Sequence, residues 1–317
     1  MAEFDLIERI RRRAASRDDV LLGIGDDAAL LRVPPERHLV VATDTLNAGV
    51  HFPGDSAPAD IGWKALAVNL SDLAAMGAEP AWCTLSLSLP QADPAWLDGF
   101  LDGFLALAER HRVALVGGDT TRGPLSACVT VHGLAEAGRA LRRDRARAGD
   151  DVWVSGTLGD AAAALAQWRQ GGAADPVLRA RLDRPTPRLA LGRALAGLAH
   201  AAIDVSDGLL ADLGHVCRAS GVGAELDLDA LPASPALRGA FAGDALRGLQ
   251  ASGGDDYELC FTAPSAAIDA VQRAAEASGT PVSWIGRIVA GSGVAVFDAE
   301  GARWTPPRAG YEHFGAA

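Results

Sequence analysis

Five short aspartate-bearing segments punctuate the chain: GIGDDAAL from Gly23, ATDT from Ala42, NLSDLAAMG from Asn69, GGDTTRG from Gly117 and DVSDG from Asp204. Each lies where a hydrophobic run stops or a helix starts, so all five read as turns. One acidic turn is ordinarily a solvated loop position or a helix cap. Five, interleaved with Gly, Ser and Thr, ask more of the fold. Carboxylate and hydroxyl oxygens are the ligands that hard cations such as Mg2+ take, and Mg2+ commonly accompanies phosphate. The pattern therefore predicts a Mg2+ and nucleotide site assembled from distant segments.

A chain of 317 residues, 49% of them hydrophobic, can bury a substantial core and exceeds the usual single-domain length, so two domains are expected. Acidic residues outnumber basic ones 40 to 29, for a net charge of -11, which argues against nucleic acid as a partner. Lys64 is the one lysine, so an anionic ligand must be met by arginines or bridged by cations. Cys83, Cys128, Cys217 and Cys260 form no C-x-x-C pair, and free thiols are expected. The opening MAEFDLIERIRRR has no apolar core of a signal peptide, and no run approaches 18 apolar residues. These features predict a cytoplasmic protein with no membrane association.

Hydrophobic periodicity organises the chain into two halves. A helix is expected around residues 4 to 15, then a strand over HLVVATDT (His38 to Thr45) ending in the second Asp turn. ADIGWKALAVNLSDLAAMG reads as a helix closed by Gly77, with Asn69 and Asp72 on one face. CTLSLSLP is a strand, PAWLDGFLDGFLALAERH a helix opened by Pro94, VALVGGD a strand running into a Gly-Gly-Asp loop, and SACVTVHGLAE another strand. The charged run RALRRDRARAGDD marks a junction, giving domains 1–148 and 149–317. The second half reads as strand, turn and helix over DVWVSGTLGDAAAALAQW, a helix from Pro187, a strand and turn at AAIDVSDG, a helix through His215, and strands at AELDL, YELCFT, VSWIGRI and GVAVF. Strands occur singly between helices and in adjacent runs, so the fold class is α+β with mixed sheets.

Several familiar nucleotide sites are excluded. No G-x-x-x-x-G-K-[ST] loop exists, the lone lysine sits inside a predicted helix, and neither H-R-D nor D-F-G occurs. GIGDD lacks the glycines and the strand-turn-helix context of a dinucleotide fingerprint.

The segments GIGDDAALL, ATDTL followed by GVHF, KALAVNLSDLAAMGAEPAW, LVGGDTTRGPLS, AAIDVSDGLLADLGHV and SGGDDYELCFT, in this order, resemble the thiamine-monophosphate kinase family from about Phe4 to Phe314. NLSDLAAMGA and GGDT are shared with the wider ATP-binding superfamily of aminoimidazole-ribotide synthetase, selenophosphate synthetase and the hydrogenase-maturation dehydratase. GVHF, DVSDG and GGDDYEL narrow the resemblance to the kinases. It implies ATP-dependent phosphorylation of thiamine monophosphate to thiamine diphosphate with several Mg2+ ions, in a homodimer. The N-terminal domain would pair with its twin, and the C-terminal domain would complete the active site.

The same resemblance implies Asp27, Thr43, Asp44, Asp72, Asp119, Asp204 and Asp207 as metal ligands. Gly118, Asp119, Arg143 and Ser206 would contact ATP, and His51, Asp255 and Tyr311 would line the thiamine side. Asp255 stands where the family commonly has Glu, and Ala42 where it often has Ser, so only a backbone carbonyl could serve there. Acceptor and donor are both polyanions whose approach is opposed by charge, which cations can cancel. The attacking phosphate oxygen is already ionised near neutrality, so no general base is expected. On residue type alone a metal-dependent phosphohydrolase or a nucleotide sensor stays open. Selenophosphate synthesis would want a reactive Cys in a mobile N-terminal segment, and the dehydratase a C-terminal thiol; neither is present.

Overall fold

The computed structural model describes residues 3–306, 310 and 311, so Phe314 of the GYEHF ending lies outside the described residues. The chain divides into two compact units, Met1–Leu73 with Ala78–Gly138, and Ala74–Gly77 with Arg139–Ala317.

The first unit runs α1 (Glu3–Arg13), β1 (Val20–Leu22), β2 (Leu30–Leu31), β3 (Arg37–Asn47), α2 (Pro58–Ala75), β4 (Glu79–Leu89), α3 (Pro94–Arg110), β5 (Ala114–Arg122) and β6 (Ser126–Glu136). Four strands form a sheet in the order β3-β6-β4-β5. The β4 and β5 strands are parallel because α3 carries the chain back across the sheet; the other pairs are antiparallel. Asp93 caps α3, accepting from the amides of Ala95 and Trp96, and Pro94 fills the first helical position. Alternation gives the sheet one apolar face, where Leu46, Leu85, Leu87, Ala127, Val129 and Val131 are buried. The opposite face carries Thr43, Thr45, Thr84, Ser86, Cys128 and Thr130.

Two of the five Asp segments, ATDT and GGDT, are strand where turns were expected, and a third lies in the helix that its periodicity predicted. Asp44 lies inside β3, whose pairing with β6 is unbroken from Arg37 to Asn47. Asp119 lies inside β5, so no Gly-Gly-Asp loop forms. Gly118 stays in the strand at φ 150° because a Cβ there would lie 1.9 Å from the Leu85 carbonyl oxygen, letting β5 press against β4. Asp72 is interior to α2, which ends as expected at Gly77 with φ 65°. Only GIGDD and DVSDG are irregular.

The second unit runs β7 (Asp150–Ser155), α4 (Asp160–Arg169), α5 (Pro176–Asp183), α6 (Leu189–Leu195), β8 (Ala201–Asp204), α7 (Leu209–Ser220), β9 (Gly223–Asp227), α8 (Pro235–Ala240), α9 (Gly243–Ser252), β10 (Leu259–Pro264), α10 (Ile268–Ser278), β11 (Val282–Val289), β12 (Gly293–Phe297) and β13 (Arg303–Trp304). Its sheet has the order β13-β12-β9-β11-β7-β10-β8, with β9 and β12 the parallel pair. Val152, Val154, Ile203, Leu213, Leu226 and Ile285 form its core. Two mixed sheets with helices make the chain α+β. The sequence reading missed α5, α8 and α9, which are six to ten residues long and too short to show a period. Among the described helices none is long and apolar enough to cross a membrane.

Candidate active site

In the first unit, hydrogen-bond register aligns the implied ligands. Thr45, Cys128, Ser86 and Asp119 share one row across the sheet, and Thr43, Thr130, Thr84 and Gly117 share the row two residues along, on the same face. The Thr43 and Thr130 hydroxyls bond each other across β3 and β6. Asp44 points to the other face, where its backbone amide donates to Asn69 Oδ1 at 2.9 Å. Asn69 is fully buried, and its Nδ2 donates to the Ala65 carbonyl, which fixes the amide orientation. Asp72 lies three residues further along α2, so α2 carries one residue that anchors the Asp44 strand and one carboxylate on the same helical face.

Asp27 is exposed, and its amide donates to Asp26 Oδ1 at 2.8 Å, so Asp26 is engaged in a local turn. Asp119 Oδ1 accepts from the Thr120 amide. His51 Nδ1 accepts from the Asn47 amide at 2.9 Å, while its carbonyl accepts from the Nζ of Lys64. Lys64 is only 1% exposed. The single lysine is thus a buried anchor for the His51 loop, a role that its position in a predicted helix did not signal.

The second unit gathers four implied residues around the DVSDG turn. Ser206 carbonyl accepts from the Asp255 amide at 2.8 Å, and Asp207 carbonyl accepts from the Tyr311 amide at 3.0 Å. Ser206, Asp207, Asp255 and Tyr311 are therefore joined by backbone. Asp204 ends β8. Arg142 is held by Asp144 through two bonds, at 2.8 and 2.5 Å, whereas Arg143 is exposed and forms no ion pair among the described residues. A free guanidinium fork is what a phosphate group needs.

Asp212 was not singled out from the sequence. It is 3% exposed, and its Oδ2 accepts from the amides of Ser206, Asp207 and Gly208. Burial, then the charges of Asp204 and Asp207, push its carboxyl up to about 7. Below the turn, Glu258 is wholly buried and bonded to Arg181 at 2.6 Å, to Arg188 at 2.6 and 2.5 Å, and to the Ser155 hydroxyl. Asp256, 2% exposed, accepts from the Gly159 amide, and burial holds its carboxyl well above the ordinary carboxylate range.

Among the described residues no three His, Cys, Asp or Glu side chains converge on one point as a closed metal cluster. The donor chemistry nevertheless fits Mg2+: every implied ligand is a carboxylate or hydroxyl, and the crowding of Asp204, Asp207 and Asp212 is a negative field that a cation offsets.

The two-sheet architecture and the oxygen-rich segments in each unit define an AIR synthase related protein. The model of the AIR synthase related N-terminal domain matches residues 25–135, and that of its C-terminal domain matches residues 147–299. Within that class the chain belongs to the thiamine-monophosphate kinase family. It is 50% identical over 320 residues to the thiamine-monophosphate kinase of Salmonella typhimurium, with 98% of each chain covered. The crystal structure of thiamine-monophosphate kinase from Stenotrophomonas maltophilia K279a shares 59% identity and a TM-score of 0.87, covering 93% of this chain and 96% of that one. AaThiL complexed with AMPPCP and TMP shares 33% identity and a TM-score of 0.77, over 98% and 96%. Hydrogenase maturation protein HypE in complex with ATP, at 21% identity and a TM-score of 0.79, shares the fold.

Proposed function

We infer that this protein is an enzyme that transfers the γ-phosphate of ATP to thiamine monophosphate, yielding thiamine diphosphate and ADP. The observation that carries the reading is identity of about half to thiamine-monophosphate kinases across nearly the full length of both chains. The AMPPCP and TMP of the AaThiL complex stand for the two substrates in a relative that covers 98% of this chain.

In this reading Asp27, Thr43, Asp44, Asp72 and Asp119 of the first unit, and Asp204 and Asp207 of the second, hold Mg2+. When bound, the cations would neutralise the two polyanions and template an in-line transfer. Gly118 and Asp119 border the nucleotide, Ser206 donates its hydroxyl to a phosphate oxygen, and Arg143 offers its planar fork to another. His51, Asp255 and Tyr311 face the thiamine moiety. The acceptor oxygen is already an anion, so no side chain needs to remove a proton, and catalysis rests on alignment and charge.

Two further parts belong to the same reading. Leu39 and Val41 of β3, and Leu21, Leu22 and Leu30 of β1 and β2, are exposed apolar side chains on the first unit, which supports a homodimer paired through that unit. The four cysteines are free, in keeping with the reducing cytoplasm where ATP is available.

The test is to incubate the protein with ATP, Mg2+ and thiamine monophosphate and follow phosphorus resonances. Thiamine diphosphate and ADP are expected in equal amounts; inorganic phosphate without thiamine diphosphate would establish a phosphohydrolase instead.

A further inference from the structure

We propose that Asp212 is a positioning residue for the phosphoryl transfer: its carboxylate clamps the backbone of Ser206, Asp207 and Gly208 and so fixes the direction in which Ser206 and Asp207 present their oxygens. The proposal rests on the kinase reading, and it assigns a role to a residue that contacts no substrate itself.

Three consecutive amides converge on one atom. Asp212 Oδ2 accepts from Ser206 N at 3.0 Å, Asp207 N at 3.0 Å and Gly208 N at 3.1 Å. Such a run of amides at the start of a helix is a concave anion site, of the kind that often receives a phosphate. Here it is filled from within, by the first turn of α7, whose N-cap residue Gly208 makes no side-chain cap bond. Phosphate oxygens that reach this turn must therefore meet side chains and cations rather than main-chain N–H groups.

The surroundings leave the turn little other freedom. Gly208 has φ 115°, and a Cβ there would lie 2.8 Å from the Ser252 carbonyl carbon. The outward carbonyls of Ser206 and Asp207 accept from Asp255 and Tyr311. With the amides held on one side and the carbonyls on the other, the peptide planes are fixed, and the side chains of Ser206 and Asp207 leave from a determined backbone. A plain helix cap could be built from Ser or Asn without charge. A buried third carboxylate beside Asp204 and Asp207 is an electrostatically costly choice for capping alone, and charge-assisted bonds to three amides are the gain that offsets it.

The experiment compares the full-length wild type with Asp212→Ala and Asp212→Asn, measuring kcat, KM for thiamine monophosphate, the Mg2+ midpoint and melting temperature. Loss of the clamp in Asp212→Ala should lower kcat by about a hundredfold and raise the Mg2+ midpoint, as expected for misplaced reacting groups. Asp212→Asn, whose Oδ1 still accepts from the amides, should recover most of kcat. A purely structural role would lower melting temperature in both variants while leaving kcat per folded molecule and the Mg2+ midpoint unchanged, and that result overturns the proposal. If Asp212→Ala does not fold, hydrogen exchange of the wild type decides: slow exchange at Ser206, Asp207 and Gly208 supports the clamp, and fast exchange refutes it. A wild type that makes no thiamine diphosphate refutes the kinase reading instead, while the exchange rates still report on the clamp.

Discussion

The Tyr257 hydroxyl donates to Asp255 Oδ1 at 2.9 Å, and both residues hold left-handed backbone, with φ of 50° and 66°. Side-chain-bearing residues rarely take that conformation, and Asp tolerates it better than most. The amides of Asp255 and Tyr257 donate to the carbonyls of Ser206 and Val205, which holds the loop against the DVSDG turn. The hydroxyl thus orients the carboxylate that the proposed function assigns to the thiamine side. Tyr257→Phe should raise KM for thiamine monophosphate about fivefold, the value of one lost hydrogen bond of ~1 kcal/mol, with kcat nearly unchanged. Steady-state kinetics that show an unchanged KM would remove Tyr257 from the substrate side.

Asp207 separates metal ligation from capping. The cap of α7 at Gly208 comes from no side chain at the usual position, and the turn amides are taken by Asp212, so Asp207 is not needed to start the helix. Asp207→Asn should keep the wild-type melting temperature while turnover falls by on the order of a hundredfold, as charge compensation at the phosphates is lost. Full activity of Asp207→Asn at ordinary Mg2+ would exclude it as a ligand.

The strands and long helices were legible because their periods are strong: β6 spans Ser126–Glu136, the whole SACVTVHGLAE segment. What the sequence hid was the backbone context of the aspartates. Gly-Gly-Asp reads as a loop from composition, yet Gly118 sits in β5 because β4 lies too close for any side chain, a tertiary fact with no local signal. Asp212 was hidden for a related reason. In LLADLGHV it occupies an ordinary polar position of an amphipathic helix, and only the fold reveals the three amides before it. The left-handed φ at Asp255 and Tyr257 delays the start of β10 to Leu259, two residues later than YELCFT suggests.

Asp256 gives a pH dependence with a definite sign. The guanidiniums of Arg181 and Arg188 match Asp160 and Glu258, leaving Asp256 as a third buried carboxyl whose folded-state pKa is raised by burial. A raised carboxyl favours folding fully below its unfolded value near 3.8 and loses that contribution as pH rises through the folded value. Asp256→Asn has the same shape and no titration, so its melting temperature relative to wild type should increase between pH 5 and pH 8. A difference constant with pH would mean that Asp256 is ionised throughout.

Assembly is tested at β3. Val41 is 55% and Leu39 46% exposed on the first unit, an arrangement that favours burial against a second copy. Light scattering at low micromolar concentration should give twice the 32.7 kDa chain mass, and Val41→Asp should shift the particle toward one chain. A wild type that scatters as a single chain would refute the homodimer.

The heaviest stability penalty is expected at Glu258. Its carboxylate is fully buried against Arg181 and Arg188, whose side chains are only 20% and 17% exposed. Burying these charges is costly, and the geometry offsets the cost only while every partner is present. Glu258→Gln leaves two guanidiniums beside a neutral amide, so the loss should be roughly 3 kcal/mol, the scale for removing one member of a buried pair. The exposed Arg247–Asp229 pair is the control. At 35% and 49% exposure it is screened by water, and Arg247→Ala should cost at most about 1 kcal/mol. Urea unfolding of both variants reads the contrast directly. Equal, small shifts in midpoint would show that the Glu258 cluster is solvated in solution and contributes no more than a surface pair.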